Sequence, residues 1–389
     1  MFLFLAACLV PAFVISFAVT GLMRRLAPRW GLIDRPAGRK MHQRPTALGG
    51  GIGIWLGIVV PLVAAQMAAF VLTRTSPPEW FPTEVALHLD GVLNRAGQMW
   101  SILAATTILA AMGLMDDIRD LPWLPRLLVQ LAVAWGLTAA GVKATFFLPI
   151  PWLGTAVTIV WILVLVNSFN FLDNMDGLSA GVGLIAAVLF AVVMLSSTSE
   201  PRWLVGGGLL VLAGSLAGFL WHNRPPARIF MGDSGSYLVG LLLATMTVLG
   251  TFYEESDGGT GRHVILAPLC ILAIPLYDFC SVILIRLRQR RSPFHPDQSH
   301  FSHRLVELGL RPGHAVLTIY LATLTTGLGA LLLYELRAER RWTGALLIIS
   351  LICCVLAIVA ILETVGRRQN GDLDDKTESG KRKAEEASE

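Results

Sequence analysis

Eleven apolar segments, each long enough to cross a bilayer, divide this chain of 389 residues. A helix that crosses the hydrocarbon core needs about 20 mostly apolar residues. Only 15% of the residues are charged and 54% are hydrophobic, which excludes an ordinary soluble domain. The sequence therefore predicts an all-α polytopic membrane protein with about eleven transmembrane helices. The segments lie at residues 2–23, 48–72, 98–115, 125–142, 153–171, 178–198, 203–221, 236–253, 264–286, 314–335 and 343–363.

Most loops between these segments are short, so the segments are expected to form one domain. We predict a single transmembrane domain at residues 1–366 and a charged cytoplasmic tail at residues 367–389. The tail has almost no apolar residues, which is typical of disorder. All five cysteines lie inside the apolar segments, so neither a disulfide framework nor a Cys-x-x-Cys metal site is expected.

The distribution of Lys and Arg predicts which side of the membrane each loop faces. Seventeen of these residues lie in loops that follow odd-numbered segments, and eight lie in loops that follow even-numbered segments. Cytoplasmic loops carry the excess of Lys and Arg in membrane proteins. We therefore expect the odd-numbered loops and the C-terminus in the cytoplasm and the N-terminus outside.

Five polar patches interrupt the apolar sequence, and all of them fall in odd-numbered loops. Their acidic residues favour a nearby cation, and their His, Lys and Arg residues suit an anion. We therefore expect one cytoplasmic site for a metal ion and a phosphorylated substrate. The patches lie at residues 34–42, 116–117, 167–177, 231–236 and 295–304.

The second patch places two adjacent carboxylates at a helix end. Asp116 and Asp117 end the third segment, where their repulsion and the helix dipole favour a divalent metal ion or a shared proton. The alternative interpretation is a solvated helix end in which Arg119 or Arg126 is the partner.

The third patch has a polar residue at every third position. Asn167, Asn170, Asp173 and Asp176 would form a stripe along one helix face at the end of the fifth segment. Asn side chains both donate and accept hydrogen bonds, which suits a nucleobase or an amide. A polar loop between two spans is the alternative interpretation.

The fourth patch, Met-Gly-Asp-Ser-Gly-Ser at residues 231–236, precedes the eighth segment. A glycine-rich turn at a helix N-terminus suits a phosphate or a metal-bound carboxylate such as that of Asp233. Asp233 or Ser234 could also simply cap the helix, and both interpretations can hold for different residues.

The first and last patches supply cationic side chains. Lys40 and His42 could contact an anionic lipid or a nucleotide. His300 and His303 would share one face of a short helix, and together with Arg304 they suit a pyrophosphate. The neighbouring arginines alone are explained by membrane topology.

In this order, the motifs resemble those of the polyprenyl-phosphate N-acetylhexosamine-1-phosphate transferases, glycosyltransferase family 4. The chain carries D-R-P-x-x-R-K-x-H, D-D, N-x-x-N-x-x-D-x-x-D-G-L, M-G-D-S-G-S and P-D-x-x-H-x-x-H-R-L between residues 34 and 305. Its first motif is similar to that of the undecaprenyl-phosphate GlcNAc-1-phosphate transferases. The resemblance implies transfer of GlcNAc-1-phosphate from a UDP-sugar to undecaprenyl phosphate with Mg²⁺ or Mn²⁺, releasing UMP and starting a cell-envelope polysaccharide.

The resemblance also implies roles for single residues. Asp233 and Asp117 would be the metal-binding residues. The catalytic carboxylates would be those of Asp116, Asp117, Asp173 and Asp176. The substrate-binding side chains would be those of Lys40, His42, Asn167, Asn170, His300, His303 and Arg304.

One position departs from the family pattern, because Ser302 stands where relatives often carry a histidine. The choice of sugar therefore stays open. Two alternative functions are a phospho-N-acetylmuramoyl-pentapeptide transferase and, from a different class, a secondary transporter. The resemblance implies a multi-pass protein of the bacterial inner membrane that meets a UDP-sugar, undecaprenyl phosphate and membrane lipids but no nucleic acid. A homodimer is left open.

Overall fold

The computed structural model describes most of the chain. Side chains are described throughout these ranges except at residues 151, 262 and 364–386. The described residues are 1–34, 45–75, 78, 86, 89–144, 151–198, 201–251, 262–293, 299–336 and 341–386.

Seven α-helices precede residue 200 in the described ranges. They are α1 Phe2–Leu26, α2 Gly50–Thr75, α3 Leu89–Asn94, α4 Ala96–Arg119, α5 Trp123–Ala139, α6 Pro151–Leu172 and α7 Leu178–Val192. A 3-10 helix at Ala27–Trp30 continues α1, and a π-helical turn at Val193–Ser197 continues α7.

The later part of the described chain contains seven more. They are α8 Trp203–Asn223, α9 Gly232–Thr251, α10 Ala267–Ile271, α11 Ala273–Arg288, α12 Phe301–Glu307, α13 Pro312–Tyr334 and α14 Arg341–Glu386. A 3-10 helix at Arg262–Leu266 precedes α10.

Nine helices of the described chain are long and apolar enough to cross a membrane. A tenth span exists if His263–Ile271 and α11, which meet at an angle of 70°, are counted as one. Proline explains this bend, because Pro275 has no N–H to donate to the carbonyl of Ile271. The predicted helical, polytopic class is thus confirmed.

The predicted count of eleven spans depends on α5. This helix covers most of the fourth predicted segment but has only 17 residues, the lower limit for a transmembrane helix. The exact count and the orientation stay predictions. The predicted domain boundary at residue 366 and the disordered tail also stay predictions, because the side chains beyond Glu363 lie outside the described residues.

The centre of the bundle is α9, which is buried along almost its whole length. It packs against α2, α4 and α6. On one side α1 packs against α2 and α8, and on another α13 packs against α7 and α10. The acidic N-terminus of the central helix therefore lies among the ends of its neighbours.

A short β-ribbon links the start of α2 to the segment before α9. Strands β1 (Ile33–Asp34) and β2 (Thr46–Ala47) pair antiparallel. The N–H of Phe230 donates to the carbonyl of Ala47 at 2.9 Å, and the N–H of Gly50 donates back to Phe230 at 3.0 Å. The all-α prediction missed this ribbon because two-residue strands are too short to show the alternation of a sheet.

Candidate active site

A cavity of about 720 Å³ opens where the ends of several helices meet. Each of the five polar patches contributes at least one residue to its wall. Seven aspartates line it, namely Asp34, Asp116, Asp117, Asp120, Asp173, Asp176 and Asp233.

The charge of this wall is strongly negative. Among the described residues that line the cavity, His303 is the one side chain that can carry a positive charge. Carboxylates that share a confined space repel each other unless a cation or a proton lies between them. The cavity is therefore suited to a cation, and to an anionic ligand only when a cation accompanies it.

Asp117 joins α4 to the start of α9. Its Oδ1 accepts a hydrogen bond from the backbone N–H of Asp233 at 2.8 Å, and its Oδ2 accepts one from Ser234 at 3.4 Å. Free N–H groups and the helix dipole make such an N-terminus an anion site. The carboxylate of Asp117 thus caps α9, whereas the sequence predicted Asp233 or Ser234 as the cap. The phosphate or metal-bound carboxylate expected at this turn stays a prediction.

This junction requires glycine on both sides. Gly232 has φ +71°, and a Cβ added there would lie 2.5 Å from Oδ2 of Asp117. A Cβ added at Gly113 of α4 would lie 2.4 Å from the backbone nitrogen of Ser234. The two helices can approach this closely only because both positions lack a side chain.

Asp116 is held by a cation from the next helix. Arg126 of α5 donates to Oδ2 of Asp116 at 2.8 Å and lies 3.7 Å from Oδ2 of Asp233. The hydroxyl of Tyr237 lies 3.2 Å from the same Asp116 oxygen and 3.4 Å from Oδ2 of Asp233. Arg126 is therefore the partner of Asp116, as the alternative interpretation held, but Asp116 is buried and the helix end is not the solvated one of that interpretation.

The two asparagines of the third patch have different partners. The amide of Asn170 donates to Oδ1 of Asp233 at 2.7 Å and so orients this carboxylate. The amide of Asn167 donates to Oε1 of Gln130 at 2.8 Å, which ties α6 to α5. Asn170 thus acts directly on the acidic cluster, whereas Asn167 contacts the neighbouring helix α5.

The two aspartates of the same patch lie beyond the end of α6, in the turn before α7. The helical stripe predicted from their spacing therefore ends at Leu172. Both carboxylates line the cavity, and Oδ2 of Asp176 accepts a hydrogen bond from the N–H of Ala227 at 2.8 Å.

The carboxylate of Asp173 is costly to ionise in this cavity. Burial, followed by the charges of Asp117 and Asp176, raises its pKa from 3.8 to about 7. A hydrogen bond from the backbone N–H of Gly232 opposes this rise. Near neutral pH the charge of Asp173 therefore depends on what else occupies the cavity.

We expect Asp173→Asn to stabilise the metal-free protein at pH 8 but not at pH 4. The raised pKa means that the folded protein binds this proton more tightly than the unfolded chain, so ionisation destabilises the fold as pH rises from about 4 to 7. Asparagine cannot ionise and removes this cost. The melting temperature in detergent with EDTA should rise by about 2 °C at pH 8.

The matched control for this variant is Asp90→Asn, at an exposed aspartate of α3. It should leave the melting temperature and its pH dependence unchanged. Equal stability of wild-type protein and Asp173→Asn at pH 8 would show that Asp173 is not electrostatically strained.

The last patch forms α12 and the residue before it. His300 is buried, and its Nδ1 lies 3.1 Å from Oδ2 of Asp278. His303 lines the cavity. Arg304 is only 4% exposed, and its Nε lies 3.3 Å from Oε2 of Glu363. The structure thus brings His303 to the cavity and places His300 and Arg304 behind it.

Two predicted residues cannot be compared with the structure, and three residues near the site were not predicted. Lys40 and His42 lie outside the described residues. Tyr237 was not predicted, although it follows Asp233 by one helical turn, which was sufficient to place it nearby. The pairing of Asp278 with His300 and of Glu363 with Arg304 had no sign in the sequence, because both acids lie within or at the end of apolar segments.

Comparison with known proteins adds independent information on the chain. The sequence profile of "Glycosyl transferase family 4" matches residues 99–251, which contain the second, third and fourth patches. The chain is 32% identical over 381 residues to the decaprenyl-phosphate N-acetylglucosaminephosphotransferase of Mycobacterium leprae, covering 92% of this chain and 90% of that protein.

Two further relatives are similar to this chain over at least three quarters of its length. The probable undecaprenyl-phosphate N-acetylglucosaminyl 1-phosphate transferase of Bacillus subtilis is 28% identical over 372 residues, covering 92% of this chain and 94% of that protein. The undecaprenyl-phosphate alpha-N-acetylglucosaminyl 1-phosphate transferase of Thermotoga maritima is 28% identical over 295 residues, covering 75% and 78%. The similarity thus extends well beyond the matched profile.

Proposed function

This chain belongs to glycosyltransferase family 4, and on that premise we propose that it transfers GlcNAc-1-phosphate from UDP-GlcNAc to a polyprenyl phosphate. The names of the relatives support both the sugar and the lipid class. The single observation that carries the proposal is the cavity lined by seven aspartates, in which Asp117 and Asp233 meet at the head of α9.

The cavity can bind two phosphorylated substrates only if positive charge offsets the negative charge already present. The donor diphosphate and the lipid phosphate are both anionic, and so is the wall. Their mutual repulsion must be offset before they can approach each other. Arg126 supplies part of this positive charge, and a divalent cation would supply the rest.

The residues present fit Mg²⁺, with Mn²⁺ as an alternative. No group of three His, Cys, Asp or Glu side chains among the described residues is arranged to hold a metal ion. Mg²⁺ is commonly bound by one or two carboxylates together with substrate phosphates and water. Asp233 and Asp117 would hold it, and when bound it would neutralise charge on the diphosphate oxygens.

The proposed reaction is direct phosphoryl transfer. An oxygen of the lipid phosphate attacks the β-phosphorus of the UDP-sugar, the bond from that phosphorus to the bridging oxygen breaks, and UMP leaves. Positioning and charge neutralisation dominate such reactions. Asn170 and Tyr237 orient the carboxylate of Asp233, and Arg126 holds Asp116.

The alternative mechanism passes through a covalent aspartyl intermediate. It predicts exchange of labelled UMP into the UDP-sugar in the absence of any lipid acceptor. Direct attack predicts no such exchange, so a rapid exchange rate would rule it out.

The proposed location is the bacterial inner membrane, with the cavity on the cytoplasmic side. The excess of Lys and Arg in the odd-numbered loops supports this orientation. All the patches that contribute to the cavity come from these loops, and a cytoplasmic donor such as a UDP-sugar would reach it from there.

The test is incubation of purified protein with Mg²⁺, undecaprenyl phosphate and labelled UDP-GlcNAc, UDP-GalNAc or UDP-MurNAc-pentapeptide. We expect UMP and a labelled lipid from UDP-GlcNAc, loss of product with EDTA, and recovery when Mg²⁺ is added back. If none of the three donors gives a labelled lipid, the proposed function is wrong. Product from the pentapeptide donor alone would favour the other branch of the family.

A further inference from the structure

Glu363 is a buried carboxylate on a helix that is otherwise largely exposed. Its exposed fraction is 4%, whereas Leu346, Leu347 and Leu351 of the same helix, α14, are 64%, 72% and 64% exposed. These leucines are suited to lipid contact. An ionisable residue in an apolar span is costly to bury and is usually retained for a function, and the reaction proposed above does not use Glu363.

Two side chains from other helices hold this carboxylate. The hydroxyl of Tyr277 on α11 donates to Oε2 of Glu363 at 3.1 Å, and Nε of Arg304 on α12 lies 3.3 Å from the same oxygen. Arg304 also donates from Nη2 to the hydroxyl of Ser281 on α11 at 2.7 Å. One buried ion pair therefore joins α11, α12 and α14.

The short helix α12 depends on such contacts. It has seven residues, and an isolated helix of this length is not stable in water. At its N-terminus, Oδ1 of Asp278 accepts the N–H of Phe301 at 2.6 Å. On its inner side, the hydroxyl of Ser302 donates to Oδ1 of Asn174, a residue of the cavity wall.

His303 is the part of α12 that reaches the cavity. Its neighbours in sequence, Ser302 and Arg304, make the contacts that set the rotation of the helix. A shift of Arg304 therefore moves His303 relative to the aspartates. This connects the last apolar helix to the one side chain among the described lining residues that can carry a positive charge.

We propose that Glu363 is a positioning residue for the donor site: it holds Arg304, and through Arg304 it fixes α12 so that His303 faces the cavity. The inference rests on the proposed function, because it takes the UDP-sugar to be the ligand that His303 meets. The last apolar helix then supports the active site in addition to anchoring the chain in the membrane.

The test is the kinetics of Glu363→Gln, which keeps the shape of the side chain and removes its charge. We expect the KM for UDP-GlcNAc to rise about tenfold while the KM for undecaprenyl phosphate stays unchanged, because Arg304 loses its counter-charge. A role in stability alone would lower the amount of active protein, so that kcat would fall and both KM values would stay unchanged.

Two further variants sharpen the result. Glu363→Asp keeps the charge on a shorter side chain and should give a donor KM between those of wild type and Glu363→Gln. If Glu363→Gln does not fold, a rise in the donor KM alone of Glu363→Asp supports the positioning role, and a donor KM equal to that of wild type overturns it. Glu335→Gln makes the same change at an exposed glutamate at the end of α13 and should match wild type.

The outcomes separate the two proposals. An active wild type together with an unchanged donor KM in Glu363→Gln overturns the positioning role and leaves the proposed function intact. A wild-type protein that makes no labelled lipid overturns the proposed function, and the positioning role fails with it.

Discussion

Asp233→Asn is expected to lower kcat about 10³-fold while the protein still folds. Asparagine has the shape of aspartate and can still accept the hydrogen bond that Asn170 donates to Oδ1. It lacks the charge that the proposed Mg²⁺ site requires, and a bound metal ion contributes several kcal/mol to such a reaction, where about 1.4 kcal/mol corresponds to a factor of ten. The measurement is the rate of UMP release at saturating substrates, together with the melting temperature in detergent.

The control for this variant is again Asp90→Asn, which should release UMP at the wild-type rate. We expect the melting temperature of Asp233→Asn to equal or exceed that of wild type, since one of several crowded charges is removed. Turnover within tenfold of wild type would remove Asp233 from the metal site.

Gly113→Ala is expected to have the second largest effect, although it adds a single methyl group. The new Cβ would lie 2.4 Å from the backbone nitrogen of Ser234 and 2.5 Å from the carbonyl oxygen of Asp233. Backbone atoms cannot move aside as a flexible side chain can, so α4 must shift away from α9. Overpacking of this kind costs about 1–3 kcal/mol, and the shift also separates Asp117 from the N-terminus of α9.

We therefore expect a lower melting temperature and at least about a tenfold loss of activity for Gly113→Ala, since about 1.4 kcal/mol is a factor of ten in rate. Gly97→Ala is the matched control on the same helix, because a Cβ there would have no neighbour within 4 Å. That variant should be neutral or slightly stabilising, since alanine favours helix by about 1 kcal/mol over glycine. Equal behaviour of the two variants would contradict the close contact of α4 and α9.

Much of the site could be predicted because its acidic residues lie next to the ends of apolar segments. Charge counting placed the patches on one side, and Asp116, Asp117 and Asp233 do line one cavity. Spacing was less reliable where a helix ends: Asp173 and Asp176 continue the three-residue period of α6 but lie in the turn after it.

The partners of these acids could not be predicted, because they come from distant parts of the chain. Arg126 meets Asp233 across more than a hundred residues, and no local pattern specifies that pair. The contact of Glu363 with Arg304 could not be predicted, because Glu363 ends an apolar segment whose composition indicates only a membrane anchor. Periodicity reports which face of a helix is apolar, and it does not report which other helix will cover a charge.

The contact between Asp117 and the N-terminus of α9 has a further consequence, because the chain is synthesised from its N-terminus. The carboxylate of Asp117 is held by an N–H group that follows it by 116 residues, and the cavity wall is completed by Val316 of α13. Domains of a nascent chain fold from the N-terminus as synthesis proceeds, so the acids of α4 enter the membrane well before their partners exist. A partly inserted or truncated chain that lacks α9 or α13 therefore lacks part of the cavity wall and has no complete pocket.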